Sequence, residues 1–266
     1  MLTDVTLGQF VPSNSPLHKL DPRSKILLTI TLIVITFLAK SYVSLAIVLF
    51  NMVVIIFLSG VPMKLYFKSV KFIIFITLFT SIMNLFYGEG EVLLNIGFAK
   101  ITTEGLQNTI TAIVRLISLI LASSALTFTT SPNDLTTAIE RIMKPLALLR
   151  IDVHSLAMMM TIALRFVPTL IEEAQKIINA QKARGANLET GSFINRTKAL
   201  VPIIVPLFVS SFRRAFDLST AMECRCYRGG NNTTRMKILK LTIKDLISVI
   251  WIALICSGVI LCNGIF

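Results

Sequence analysis

The chain carries no G-x-x-x-x-G-K-S/T run, so it does not itself supply the loop that cradles the phosphates of ATP. Histidine is nearly missing: His18 and His154 are the two copies, and neither has cysteines or carboxylates at metal-ligand spacing. A polar role at an interface is the expectation for both. Cysteine is scarce as well. Cys224 and Cys226 form a C-x-C pair without further ligands, and Cys256 and Cys262 fall in the last apolar segment, so reduced, unpaired thiols are expected. The first two dozen residues lack the cationic-then-apolar order of a cleavable signal. No internal repeat is found, and the apolar segments are almost free of central charges, which argues against a self-contained secondary transporter or channel, the alternative reading. They also hold no convergent His, Asp, Ser or Cys set, which argues against an intramembrane enzyme.

What remains is apolar. Hydrophobic residues make up 54% of the 266, too many for an ordinary soluble domain. Apolar runs at Ile26–Ala39, Tyr42–Ser59, Phe72–Tyr87, Ile110–Phe128 and Leu246–Leu261 approach the roughly 20 residues that cross a bilayer. The net charge of +12 does not point to nucleic acid, because the basic residues follow the runs. Lys19, Arg23 and Lys25 precede the first run, and Lys64, Lys68 and Lys71 stand between the second and third. Glu89, Glu91 and Glu104 oppose a single Lys100 between the third and fourth, and 17 of the 26 Lys and Arg fall in Ser131–Lys244. Every basic loop shares one side if five spans run from a cytoplasmic N-terminus to an extracellular C-terminus. The expected architecture is therefore an all-α membrane protein of about five transmembrane helices plus a cytoplasmic helical module with two long amphipathic helices. Its divisions are 1–130, a membrane bundle of four spans; 131–244, the helical module; and 245–266, the last span.

The middle block opens at Ser131-Pro132-Asn133-Asp134, a helix start with a serine cap, proline in the first turn and an acidic third residue. Helical spacing then runs through Leu135, Ile139, Ile142, Leu146 and Leu149. A second helix is expected from Asp152 to Arg184 with an apolar face through Leu156, Met160, Ala163, Val167, Leu170, Ala174 and Ile177. Its frequent charges favour a place along or beneath the membrane. A third begins near Asn195, passes through the apolar Leu200–Phe212 and ends near Arg225, with Pro202 and Pro206 arguing against an uninterrupted helix. Glu172 and Glu173 read as solvated or as partners of Arg165, Lys176 or a partner protein, while Asp217 and Glu223 are candidates to balance Arg213 or Arg214. Arg115, about seven residues into the fourth span, reads as snorkelling or pairing with Glu104. Both long helices end on an arginine, in AQKARG (Ala180–Gly185) and AMECRCYRGG (Ala221–Gly230). One such end is an ordinary basic C-cap. Two alike in one block point to a pair of plugs for a two-part partner.

LDPRSK at Leu20–Lys25, SGVPMK at Ser59–Lys64, ALRFVPTLIEEAQKIINAQKARG at Ala163–Gly185 and AMECRCYRGG together resemble the transmembrane T component of energy-coupling factor transporters, the EcfT/CbiQ-like family, over nearly the whole chain. That resemblance implies a non-catalytic subunit of an ATP-driven importer for vitamins or other micronutrients. Its implied partners are two ABC-type ATPase subunits (EcfA and EcfA'), a substrate-binding S component and the bilayer, with no nucleic acid. No cofactor is implied in this chain; ATP and Mg belong to the ATPases. The resemblance makes Ala183, Arg184 and Gly185 the first ATPase-coupling tip and Cys224, Arg225 and Cys226 the second, where cysteines replace both small neighbours of the arginine. Leu200, Pro202, Ile203, Pro206, Leu207 and Phe208 are the candidate S-component interface, and the cell membrane of a prokaryote is the implied location.

Overall fold

A computed structural model describes residues 10–86, 92–96, 99–145, 152–186, 193–229 and 241–265. The described chain is helical apart from one short hairpin: α1 (Pro22–Leu38), α2 (Tyr42–Ser59), α3 (Met63–Phe86), β1 (Val92–Ile96), β2 (Ala99–Thr102), α4 (Thr103–Thr129), α5 (Pro132–Met143), α6 (Val153–Ala183), α7 (Phe193–Cys224) and α8 (Ile243–Ile265). The strands pair antiparallel in the acidic loop between α3 and α4, a small addition to the expected all-α architecture. Two compact units result, one holding α1 to α4 and α8, the other holding α6, α7 and the end of α5.

By length and composition, α2, α4, α6, α7 and α8 qualify as membrane spans, with α3 a sixth if its arms, bent by 51°, form one span. The short first run becomes a 17-residue helix. At 1.5 Å per residue it reaches about 25 Å, less than the roughly 30 Å hydrocarbon core. The third run starts earlier than expected: Lys64, Lys68 and Lys71 lie in the first turns of α3, not in a loop, because Pro62 ends the preceding corner and lysine suits a helix interior. Glu89, Glu91, Leu146, Leu149, Gly230, Lys237 and Lys240 lie outside the described residues.

The bundle unit has a core of Leu32, Ile35, Leu45, Val48, Met52, Ala122, Ile252 and Val259. Its two ends are closed by polar groups. At one end Asp21 caps α1 by accepting from the Arg23 amide (2.9 Å), and Pro22 occupies the first helical position. The Asp21 amide donates to Oδ1 of buried Asp245 on α8 (2.8 Å), whose Oδ2 accepts from the Thr242 amide (2.7 Å). The last carbonyls of α4 have no intrahelical partner, so they draw outside donors. Phe128 accepts from the Val11 amide (3.0 Å) and Thr129 from Lys25 Nζ (2.8 Å), a cation at a helix C-terminus. SGVPMK builds the neighbouring corner. Gly60 ends α2 at φ +62°, and buried Ser59 accepts from the Tyr66 hydroxyl at 3.0 Å. A Cβ on Gly60 would come within 3.1 Å of Ser15.

At the other end Asn263 of α8 clamps the α1–α2 turn. Its amide donates to Leu38 O (2.7 Å), and its Oδ1 accepts from the amides of Lys40 and Ser41 and from Ser44 Oγ. Helices α1 and α8 therefore run parallel. Arg115 does not pair with Glu104: it donates to Phe37 O (3.4 Å) and lies over the Phe37 ring at 5.4 Å, near the C-terminus of α1.

Candidate functional site

The second unit is organised by an antiparallel pair. Gln181 of α6 donates to Pro202 O of α7, Glu173 accepts from Ser210 and from Arg214 (2.5 Å), and the Tyr227 hydroxyl reaches Met158 Sδ (2.8 Å). The paired residue numbers rise on one helix as they fall on the other, which fixes the direction. Glu173 thus pairs directly with Arg214, with Lys176 adding a weaker electrostatic contribution, and Arg214 is balanced by Glu173 and not by Asp217 or Glu223. Periodicity within one helix does not reveal which face of the next it meets.

Helix α7 corrects a second expectation, since it continues through both prolines. Pro206 lacks the N–H that would bond to Pro202 O four residues back, and such a gap normally breaks a helix. Here the released carbonyl takes its hydrogen bond from the Gln181 side chain at 3.4 Å. The apolar face of α6 also starts differently. Leu156 and Met160 are about half exposed, whereas Val153 and Ala157 are buried. Asp152 caps this helix, and bonds from Ser155 hold its carboxyl below the usual carboxylate range. His154 in the first turn faces Glu140 of α5 at 3.2 Å, and His18 bonds Ser15 and Val11 O, so both histidines have the polar roles expected of them.

The two arginine-bearing ends have one geometry. At the first, the Gly185 amide donates to Lys182 O (3.0 Å) and the Ala186 amide to Gln181 O (3.0 Å). At the second, the Cys226 amide donates to Glu223 O (2.9 Å) and the Tyr227 amide to Met222 O (3.0 Å). Each is a Schellman stop, with the arginine at the C-cap and a left-handed residue after it. That residue is Gly185 at φ +85° in one and Cys226 at φ +56° in the other. Nothing lies within 4 Å of where a Cβ on Gly185 would stand, so the glycine meets a backbone demand and not a steric one. Ala183, Arg184, Gly185, Cys224, Arg225 and Cys226 are all exposed. In the antiparallel register Arg225 lies opposite the region of Met160, some 24 residues from Arg184 along α6, which separates the tips by about 35 Å.

The expected apolar patch divides. Leu200, Pro202, Pro206 and Phe208 are exposed, Leu207 is half-buried and Ile203 is buried. Phe212 packs edge-on to Phe208, with ring centroids 4.7 Å apart, and extends the exposed surface.

The family model described as cobalt transport protein, CbiQ, matches residues 13–236. The chain belongs to the CbiQ family. A relative from Ruminiclostridium cellulolyticum, the energy-coupling factor transporter transmembrane protein EcfT, is 47% identical over 93% of this chain and 92% of its own. The EcfT of Thermosediminibacter oceani is 44% identical over 100% of both chains, and that of Clostridium kluyveri 45% over 100% and 97%. As a CbiQ-family chain with several apolar helices, this is a multi-pass membrane protein. The CbiQ-family match takes in both arginine tips and the two corner motifs. LDPRSK and SGVPMK serve the packing of the bundle, while the tips present charge outward.

Proposed function

We propose that the chain is the transmembrane energy-coupling subunit of an ECF-type ABC importer for vitamins or other micronutrients. It links ATP hydrolysis by two ATPase subunits, which hold ATP and Mg, to reorientation of a substrate-binding S component. The observation that carries this is the pair of tips with one backbone geometry, each offering an exposed arginine at a Schellman helix stop, at opposite ends of one antiparallel hairpin. A guanidinium fork held this way suits carboxylates or backbone carbonyls on a partner, and two copies suit a partner with two equivalent grooves. The names of the relatives support the same assembly. The subunit has no catalytic role of its own. The exposed surface of Leu200, Pro202, Pro206 and Phe208, with Leu207 at its edge, is the proposed contact for the S component; buried Ile203 is left out of it.

Orientation follows from charge. Because α1 and α8 run parallel, Lys19, Arg23, Lys25 and Lys244 gather at the end of the bundle where α2 and α4 finish. The positive-inside rule places that end in the cytoplasm, with the C-terminus outside. Residues 131–244 then form a cytoplasmic coupling module between the bundle of residues 1–130 and the last helix.

Alanine at Arg184 or Arg225 removes one arm of a desolvated contact, a loss on the order of 2–5 kcal/mol in affinity for the ATPases. Both variants are expected to purify as folded protein, with ATPase lost on washing and uptake reduced. Full ATPase retention and normal uptake in both would refute docking at the tips. A second reading is favoured by one observation: α6 and α7 are themselves long and apolar enough to span. In a spanning hairpin α6 would cross outward and α7 return, so Arg184 would lie outside while Cys224 and Cys226 stay on the cytoplasmic side in either reading. With the four native cysteines replaced by serine, a cysteine introduced by Arg184→Cys is therefore the reporter. A membrane-impermeant maleimide should label it in right-side-out vesicles only after permeabilisation. Labelling of intact vesicles would favour the spanning arrangement.

A further inference from the structure

Within the bundle unit lies a cavity of about 480 Å³ between α1, α2, α4 and α8. That is within the roughly 300–1,000 Å³ of ligand sites. Its walls are almost wholly apolar, from Leu28 and Leu32 on α1, Ile55 on α2, Ala125 on α4 and Ile252 on α8. Two lysines line it, Lys25 and Lys244, and no carboxylate does. Both lysines stand at the first turns of their helices, at the end where Asp21 meets Asp245. Those two carboxylates are engaged with the backbone amides of Arg23, Asp21 and Thr242. Lys25 is 6% exposed, its ammonium anchored to Thr129 O and His18 O, so its position is fixed. From Lys25 to Leu32 the cavity follows α1 for about 10 Å. Its rim includes Leu58, Ile247 and Trp251, each about half exposed, so it opens on the outer, apolar surface of the bundle.

We propose that this cavity is a specific site for an anionic phospholipid. The phosphate sits at the Lys25–Lys244 end, where Thr29, Thr129 and Ser248 add hydroxyls to the wall, and an acyl chain descends between α1 and α8. The charge asymmetry selects the occupant. Lys244 is exposed, so a neutral apolar helix laid over this end would bury its charge, whereas a phosphodiester brings the opposite charge to the one polar end.

Trp251 makes the test direct, because it lines the cavity and is the chain's single tryptophan. The full chain in phosphatidylcholine nanodiscs is doped with an equal small fraction of phosphatidylglycerol or phosphatidylcholine carrying brominated chains, and quenching of Trp251 is compared. The anionic quencher is expected to be preferred about fivefold, the order of one lysine's attraction for anionic lipid near a membrane surface. Lys244→Gln removes the exposed charge and should abolish most of that preference. Val54→Phe fills the cavity while leaving every charge in place, and should abolish it too. Equal quenching by the two lipids in the native chain, or a preference that survives either substitution intact, overturns the proposal.

Discussion

Cys226 occupies a backbone conformation that L-residues avoid. The left-handed region costs a residue with a Cβ roughly 1–2 kcal/mol, and the equivalent position in the other tip is a glycine. Glycine at 226 would remove that cost but lose more chain entropy on folding, a penalty of roughly 0.5–1 kcal/mol. The net expectation for Cys226→Gly is a gain of about 0.5–1 kcal/mol confined to the last turn of α7. At 25 °C this is a two- to fivefold fall in local opening. Deuterium exchange of the peptide covering Met222 to Tyr227, followed by mass spectrometry, reads it directly. The mirror experiment is Gly185→Ala. Open space surrounds the new methyl, so the whole effect is backbone strain, and exchange at Gly185 and Ala186 should rise by a similar or larger factor. Cys226→Ala separates conformation from thiol chemistry, since alanine keeps the Cβ and should behave like cysteine. If glycine at 226 leaves exchange unchanged, or if alanine protects as well as glycine, the assignment of the two tips to one geometry fails.

Three further outcomes follow from the packing. Asp245→Ala strands the buried backbone amide of Asp21 and removes the partner of the Thr242 amide, and should lower stability in detergent by about 1–3 kcal/mol, seen as a drop in Tm. Asn51, in the middle of α2, is 1% exposed and neither of its amide atoms has a partner among the described residues, so Asn51→Leu should raise Tm, corresponding to roughly 1–3 kcal/mol. A double-mutant cycle on Glu173→Gln and Arg214→Met should return a coupling of up to about 1 kcal/mol, small because both side chains are partly solvated, and diminished by salt.

The helix ends were the most legible part of the sequence. Ser131 caps α5 as its motif suggests, with the Asp134 amide donating to Ser131 Oγ at 3.2 Å, and Pro22 stands at the start of α1. Gly185 and Arg184 mark the end of α6 to the residue, because caps depend on chemistry within one turn. Long-range pairing was not legible. Nothing local tells Glu173 that Arg214 lies opposite, or Asn263 that it will hold the α1–α2 turn. The continuity of α7 past Pro206 was hidden for the same reason: the carbonyl that this proline releases takes its hydrogen bond from Gln181, a donor on another helix. The Cys-Arg-Cys departure in the second tip proved compatible with the same stop, since a thiol side chain can accept the left-handed backbone at modest cost where the surroundings hold it.

The parallel pairing of α1 with α8 also bears on biogenesis. Asp245 and Asn263 are translated after more than two hundred intervening residues, yet they complete contacts made by the earliest helix and its turn. Until α8 inserts, the Asp21 amide and the Lys40–Ser41 amides must rely on water, lipid headgroups or the insertion machinery. The nascent bundle therefore stays unlatched through most of synthesis, and a ribosome that stalls before codon 245 should leave a membrane intermediate that quality-control proteases can recognise.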